Sequence, residues 1–315
     1  MIELAQLIQL EPQYRDYVWG GQRLRPGMLT AEAWIIYDGD RVANGPLAGR
    51  TLAEIAAEHG AALLGEAVIA RSGGHFPLLI KLLDCAQWLS LQVHPNDRQA
   101  VELEGPGHFG KTEAWHVLDA APKAQLIAGL KPGATREAVA AALRGGAILD
   151  WAQYRDVHTG DTLLIDAGTI HAIGPGLMIY EVQQASDLTY RVFDWNRPQT
   201  GGRALHIDKS IAVADPVAQP QTQPRPRLGD GEQQILCQSV YFTLELLAAE
   251  SQVIRLDTRN RSFHALTVID GEAEVRVGEE TIALARFQSV IVPAAAGPYE
   301  VRPRGAFQAL KSSVE

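Results

Sequence analysis

The segment Leu89-Ser90-Leu91-Gln92-Val93-His94-Pro95-Asn96-Asp97 places a carboxamide and an imidazole two residues apart. In a strand, side chains alternate between faces, so Ser90, Gln92 and His94 would look to one side. A carboxamide oxygen and an imidazole nitrogen both suit a borderline metal such as zinc. A single histidine at a strand end serves equally well as an ordinary hydrogen-bonding residue. The segment Gly110-Lys111-Thr112-Glu113-Ala114-Trp115 repeats the spacing, with Lys111, Glu113 and Trp115 on one face. Glu113 offers a carboxylate oxygen to a metal and Lys111 a cationic donor beside it, although an exposed Lys–Glu pair on a sheet surface has the same signature. A third stretch, residues 180–197, carries Glu181, Gln183, Arg191 and Arg197 in alternating polarity. An arginine there is a surface residue or, beside a metal, a partner for a phosphate or a developing oxyanion.

Short strands must position these residues. AWIIY (33–37), FPLLIKLL (76–83), LSLQVH (89–94), DTLLID (161–166), YEVQQ (180–184), YFTLELL (241–247), HALTVID (264–270), AEVRVG (273–278) and SVIVPA (289–294) have the length, β-branching and bounding turns of strands. Many short strands separated by turns predict a mainly β fold of jelly-roll sandwiches. Residues 51–65 and 134–152 predict helices, the first with Thr51 and Glu54 at capping-box spacing, and a short helix follows Asn96. These helices are expected to cover sheet edges or cap the sandwich. The proline-punctuated stretch 215–231 reads as an extended linker. It separates an expected catalytic domain, 1–214, from a C-terminal β domain, 232–315.

The 315 residues carry 46% apolar and 21% charged side chains and a formal charge of −9. That balance is ordinary for a soluble globular chain and argues against wrapping nucleic acid or lying on an anionic membrane. No apolar run approaches the roughly 20 residues of a membrane span. The first residues lack a basic leader region and are interrupted by Glu3, Gln6 and Gln9, which argues against a secretory signal. Cys85 and Cys237 form neither a disulfide framework nor a Cys-x-x-Cys pair. Both are expected to be small buried apolar residues in a reducing cytoplasm.

At Asp166-Ala167-Gly168-Thr169-Ile170-His171, a strand runs into a glycine turn and a histidine follows three residues later. This resembles the second metal-binding motif of the cupin superfamily, with Asp166 where proline is usual, and implies that His171 projects into the barrel. The longer pattern resembles type I phosphomannose isomerases, particularly their short bacterial form. It includes Tyr17-Val18-Trp19-Gly20-Gly21, Ala31-Glu32-Ala33-Trp34, Asn44-Gly45-Pro46-Leu47-Ala48-Gly49, residues 79–97, 110–115, 166–174 and 189–197. The resemblance implies a member without the helical insertion of the eukaryotic enzymes and without the fused nucleotidyltransferase domain of some bacterial ones.

The resemblance implies an enzyme with one zinc ion per chain that interconverts mannose 6-phosphate and fructose 6-phosphate through an enediol. It implies His94, Glu113, His171 and Gln92 as metal ligands. It also implies Arg191 as the active-site arginine, Lys111 and Glu181 as pocket-lining catalytic groups, and Ser90, Lys81 and Arg197 as phosphate contacts. The base is then Glu181, Lys111 or metal-bound hydroxide. The partner implied is a small sugar phosphate, with no nucleic acid and no membrane; the oligomeric state is not read from the sequence. The C-terminal part, which keeps His264 but has no histidine after its later turn, reads as a degenerate cupin-like domain without its own metal. Two other readings use the same residues: a non-catalytic sugar-phosphate-binding cupin and an iron-dependent cupin oxygenase. Lys111 and Arg191 beside the metal favour an anionic sugar.

Overall fold

The structure is a computed structural model that describes residues 6–199 and 202–314. Glu3, one of the residues read against a signal segment, lies outside the described residues. Packing divides the chain into two compact units. One comprises Tyr14–Ala33 and Leu82–Arg225; the other comprises Met1–Gln13, Trp34–Lys81 and Pro226–Glu315. Residues 34–81 thus pack with the C-terminal strands, where the sequence groups them with the rest of 1–214. The contacts responsible are non-local. The helix Leu52–Leu64 packs on the short turn Ala294–Ala296, and Phe76 meets Phe263 with ring centroids 4.5 Å apart.

The motifs lie on two antiparallel sheets. One sheet runs, edge to edge, Gln13–Arg15, Glu32–Ile36, Leu78–Cys85, Leu177–Gln184, Glu113–Ala120, Thr162–Ile165 and Thr222–Gln223. The other runs Tyr190–Phe193, Leu91–Val93, His171–Ile173, Gln125–Leu130 and Ala152–Asp156. Alternation decides what each face does. On the second sheet Leu91, Val93, Ile127, Ala172, Tyr190 and Val192 point outward. They bury themselves under Val139 and Leu143 of the helix Arg136–Gly145 and Val213 of the helix Ile207–Val213. Leu126, Ala128 and Ile173 point inward and meet Trp115, Val117, Leu163 and Ile179 of the first sheet in a shared core. Burial of these side chains, at about 1.5–3 kcal/mol for each large aliphatic, is what holds the two sheets face to face.

The helices Arg136–Gly145 and Ile207–Val213 therefore cover the outer face of a sheet, where the sequence has helices covering sheet edges or capping the sandwich. The helix after Thr51 forms with its capping box, Glu54 N–H donating to the Thr51 hydroxyl and Thr51 N–H to the Glu54 carboxylate. The segment 134–152 is broken where the chain turns left-handed at Gly146, leaving a helix capped by Thr135 and a 3-10 turn at Ile148–Asp150. Part of the proline-rich linker is not extended coil. Thr222–Gln223 pairs with Leu163 and Thr162 as an edge strand, where proline is tolerated nearby.

The other unit contains a five-stranded sheet, Glu232–Gln238, Thr243–Ala249, Phe307–Ser313, His264–Asp270 and Ser289–Val292. A four-stranded sheet, Ile254–Asp257, Pro298–Pro303, Ala273–Val277 and Glu280–Leu284, completes it. Leu247, Leu266, Val268, Val292, Tyr299 and Val301 lie in its core. Both cysteines are free; Cys85 is buried as expected, but Cys237 is only half-buried. Among the described residues no helix is long and apolar enough to cross a membrane.

Candidate metal centre

The five-stranded sheet of the first unit sets a row of inward side chains. Arg191 lies opposite Gln92, Gln92 opposite His171, and His171 opposite Ala128 on successive strands. Directly paired residues share a face, so Arg191, Gln92 and His171 project into the same space, with the small Ala128 closing the row. The seven-stranded sheet answers with Glu113 opposite Gln183 and Trp115 opposite Glu181. His94 follows the Leu91–Val93 strand and keeps the parity of Gln92.

Three ligand-type atoms, one each from His94, Glu113 and His171, lie within 4.8 Å of one another, and all three residues are buried. His94 Nε2 is 3.5 Å from Glu113 Oε2, and His171 Nε2 is 3.3 Å from Glu113 Oε1. The other nitrogen of each ring is already engaged. His94 Nδ1 stands 2.7 Å from the Leu188 carbonyl and His171 Nδ1 2.8 Å from the Thr169 carbonyl. A carbonyl can only accept, so each Nδ1 carries the proton and each Nε2 presents a lone pair toward Glu113. This is the second-sphere arrangement that orients metal-binding imidazoles. The two Nε2–carboxylate separations match the edge of a tetrahedron of N/O ligands about 2.1 Å from zinc, which is about 3.4 Å. The donor set therefore fits a divalent metal. Burial, reinforced by the nearby Lys111 charge, pushes the His171 pKa down to about 3, so the ring is neutral as a ligand must be.

Lys111 is buried, and its ammonium donates to Glu113 Oε2 and lies 3.1 Å from His94 Nε2. It places positive charge against the same atoms that would hold a cation. Glu181, also buried, accepts a hydrogen bond of 2.9 Å from the Trp115 indole. The Gln92 amide nitrogen is 3.2 Å from His171 Nε2, and Ser90 Oγ is 3.5 Å from Gln92 Oε1. The nitrogen of Gln92, not its oxygen, is thus nearest the triad. Arg191 donates through Nη1 to the carbonyls of Gly202 and Ala204, at 3.0 and 3.2 Å.

Two expected residues are held by other partners. Arg197 is held by Asp194, Gln87 and the Trp88 carbonyl, at 2.9–3.1 Å. Asp194 is shared with Arg203, which makes two contacts of 2.6 Å with it. Lys81, on the strand Leu78–Cys85 beside Leu177–Gln184, is buried with its ammonium 5.2 Å from the centre of the Trp34 ring. His116 faces away from Glu113, bonded to the Thr162 hydroxyl at 2.9 Å, as its parity predicts.

The loops that carry the ligands are tied together by groups that sequence reasoning passed over. Asn96 caps the helix Asp97–Glu104, and Asp97 Oδ1 accepts from Gly110 N–H at 2.8 Å and from Gln184 Nε2 at 2.9 Å. A Cβ on Gly110 would meet the Asp97 backbone nitrogen at 2.5 Å, so only glycine lets the Lys111 segment approach this helix. Lys111 N–H donates to the Pro95 carbonyl and Gly168 N–H to the His94 carbonyl, at 2.9 and 2.8 Å. These bonds join the three ligand segments through main-chain groups. Asn96-Asp97 after His94-Pro95 reads as a helix start in the sequence, but nothing there shows that it receives Gly110.

The chain is similar to known proteins along most of its length. A family model described as "Phosphomannose isomerase type I, catalytic domain" matches residues 7–111, and one described as "Mannose-6-phosphate isomerase, cupin domain" matches residues 232–310. The chain is 35% identical to a mannose-6-phosphate isomerase of Streptococcus mutans over 308 residues, covering 92% of this chain and 93% of that protein. It is 31% identical to mannose-6-phosphate isomerase ManA of Bacillus subtilis over 307 residues, covering 92% and 94%. The crystal structure of a mannose 6-phosphate isomerase from Bacillus subtilis superposes with a TM-score of 0.83 at 28% identity, covering 97% of this chain and 99% of that one.

Proposed function

The chain belongs to the type I mannose-6-phosphate isomerase family and is an aldose–ketose isomerase, and from that premise we propose that it works with one zinc ion held by His94, Glu113 and His171, with Gln92 completing the set once its carboxamide turns its oxygen inward. The observation that carries this reading is the pair of imidazoles whose Nδ1 protons are fixed by main-chain carbonyls, so that both Nε2 lone pairs converge on one buried carboxylate. When bound, the ion supplies a Lewis acid that stabilises negative charge on the sugar oxygens.

The reaction moves a proton between adjacent carbons through an enediolate, and the barrier lies in the weak acidity of a C–H next to a carbonyl. Glu181 is the proposed base, because it is an acceptor-type group on the inward face and Trp115 fixes its orientation. Lys111, bonded to Glu113, supplies a proton donor and positive charge beside the reacting oxygens. Arg191 shares the row of Gln92 and His171 and is proposed to steady the enediolate. Ser90, Lys81 and Arg197 are proposed for the phosphate, whose remote binding energy orients the sugar; Arg197 would have to loosen its hold on Asp194 to do so. The reducing cytoplasm suggested by the two free cysteines suits such a substrate.

Metal removal tests this. Chelator-treated protein should lose mannose 6-phosphate isomerisation in a coupled assay and regain it with stoichiometric Zn2+. Undiminished turnover after the metal is gone, or recovery with Fe2+ but not Zn2+, would refute the zinc assignment.

A further inference from the structure

We propose that the C-terminal strands carry a second, non-catalytic binding site, for a small polyhydroxyl compound bearing a phosphate monoester. The site is a cavity of about 490 Å³ beneath the loop 257–262. Its lining includes Arg255, Arg259, Arg261 and Lys311, together with His264 and a single acid, Asp257.

The charges do not cancel. Lys311 is buried and pairs with Glu245, and Arg255 lies 3.4 Å from Glu300. Asp257 Oδ1 accepts the Arg259 backbone N–H at 2.8 Å. Among the described residues no carboxylate reaches the guanidinium of Arg259 or of Arg261. Two unmatched guanidinium groups balance the charge of about −1.5 to −2 on a phosphate monoester, and their planar forks suit its oxygens. The volume falls in the range of about 300–1,000 Å³ typical of small-molecule sites, more than a bare phosphate fills. The remainder must be body, and a lining this polar suits hydroxyl groups.

The loop is also built to hold its shape without a ligand. Thr258 Oγ1 donates to the Ala294 carbonyl at 2.6 Å and accepts Gly297 N–H at 2.9 Å. Ser262 Oγ donates to the Phe263 carbonyl and accepts Val314 N–H, at 2.9 and 3.1 Å. Between these anchors Arg259 and Asn260 are both left-handed, with φ of 52° and 54°. Such a conformation costs non-glycine residues energy and is kept where the surroundings impose it. From below, Gly65 closes on the loop: a Cβ there would lie 2.0 Å from the Arg261 carbonyl oxygen. The two free arginines thus extend from a pinned backbone, which limits the entropy lost on binding.

The test is calorimetric titration of the zinc-loaded full chain with a hexitol phosphate, which cannot isomerise, and separately with inorganic phosphate. Two sites per chain are expected for the hexitol phosphate. The double variant R259A/R261A should retain one and weaken the other by about tenfold or more. Its kcat and KM for mannose 6-phosphate should stay within about twofold of the parent, which also shows that it is folded. R255A, which removes a guanidinium already paired with Glu300, should weaken the second site less than the double variant. A single site in the parent chain, or two undiminished sites in R259A/R261A, would overturn the proposal. So would inorganic phosphate binding the second site as tightly as the hexitol phosphate, because the body would then contribute nothing.

Discussion

The two β regions use the same side chains to opposite ends. Between the sheets of the first, His94, His171, Glu113 and Lys111 face one another. In the second, His264, Tyr299, Glu245 and Lys311 stand on the core-facing side of their strands. There Lys311 and Glu245 neutralise each other, and His264 Nδ1 is 2.7 Å from the Tyr299 hydroxyl. Both regions thus bury a lysine–glutamate pair and histidine. Only the first aims imidazoles at the carboxylate, two of them, each ring oriented by the main chain. A candidate metal centre differs from a closed ion pair by those convergent donors, not by the kinds of residue present.

Substituting the histidines separates the two regions most strongly. His171→Ala should remove the metal and lower turnover by on the order of 10⁴-fold, whereas His264→Ala should leave metal content and turnover as they are. Elemental analysis with a coupled isomerase assay reads both, and equal losses in the two variants would erase the distinction. Next comes Glu245→Gln, which strands a buried ammonium and should cost about 3–5 kcal/mol of unfolding free energy by urea denaturation. A second change, Lys311→Met, should recover much of that loss; failure to recover would mean that the pair does not act as a unit. In the first region Arg191→Ala should lower kcat/KM by about 10²–10³-fold while zinc stays bound. Loss of zinc in that variant would place Arg191 in support of the ligands instead.

A further effect is expected on the pH dependence of stability, gradual over several pH units. Burial lowers the His116 pKa to about 4, helped by Arg225, and the His264 pKa to about 3. Both are near 6.5 in the unfolded chain. Below 6.5 the unfolded state therefore binds more protons than the folded one. The stability these groups contribute is full above about pH 6.5 and is lost as pH falls toward 4 and 3, at up to about 1.4 kcal/mol per pH unit for each group. His116→Asn and His264→Asn should each flatten that limb of a stability–pH curve, and an unchanged slope would mean that the ring is not buried neutral.

Much of the site was legible because alternation is a local rule. Gln92 with His94, Glu113 with Trp115, and His116 facing away all follow from counting by twos, and the Thr51–Glu54 cap from counting by threes. What escaped is non-local. No composition signal reveals that residues 34–81 pack with the C-terminal strands, or that Thr222–Gln223 extends a sheet from within a proline-rich stretch. The tie between Arg197 and Asp194, three residues apart, depends on a left-handed turn at Trp195 and Asn196 (φ 54° and 57°), which neither residue type advertises. The helices Glu66–Ser72 and Ile207–Val213 are seven residues each, too short for a helical period to declare itself.

Both imidazoles of the triad lean on the carbonyls of residues 169 and 188, an atom that every amino acid possesses. The steering of the rings is consequently blind to which side chains occupy those two positions. Threonine and leucine there could drift through many replacements without disturbing the aim of either ring. An engineer hoping to retune the imidazoles would gain little by mutating them and would have to shift the chain itself.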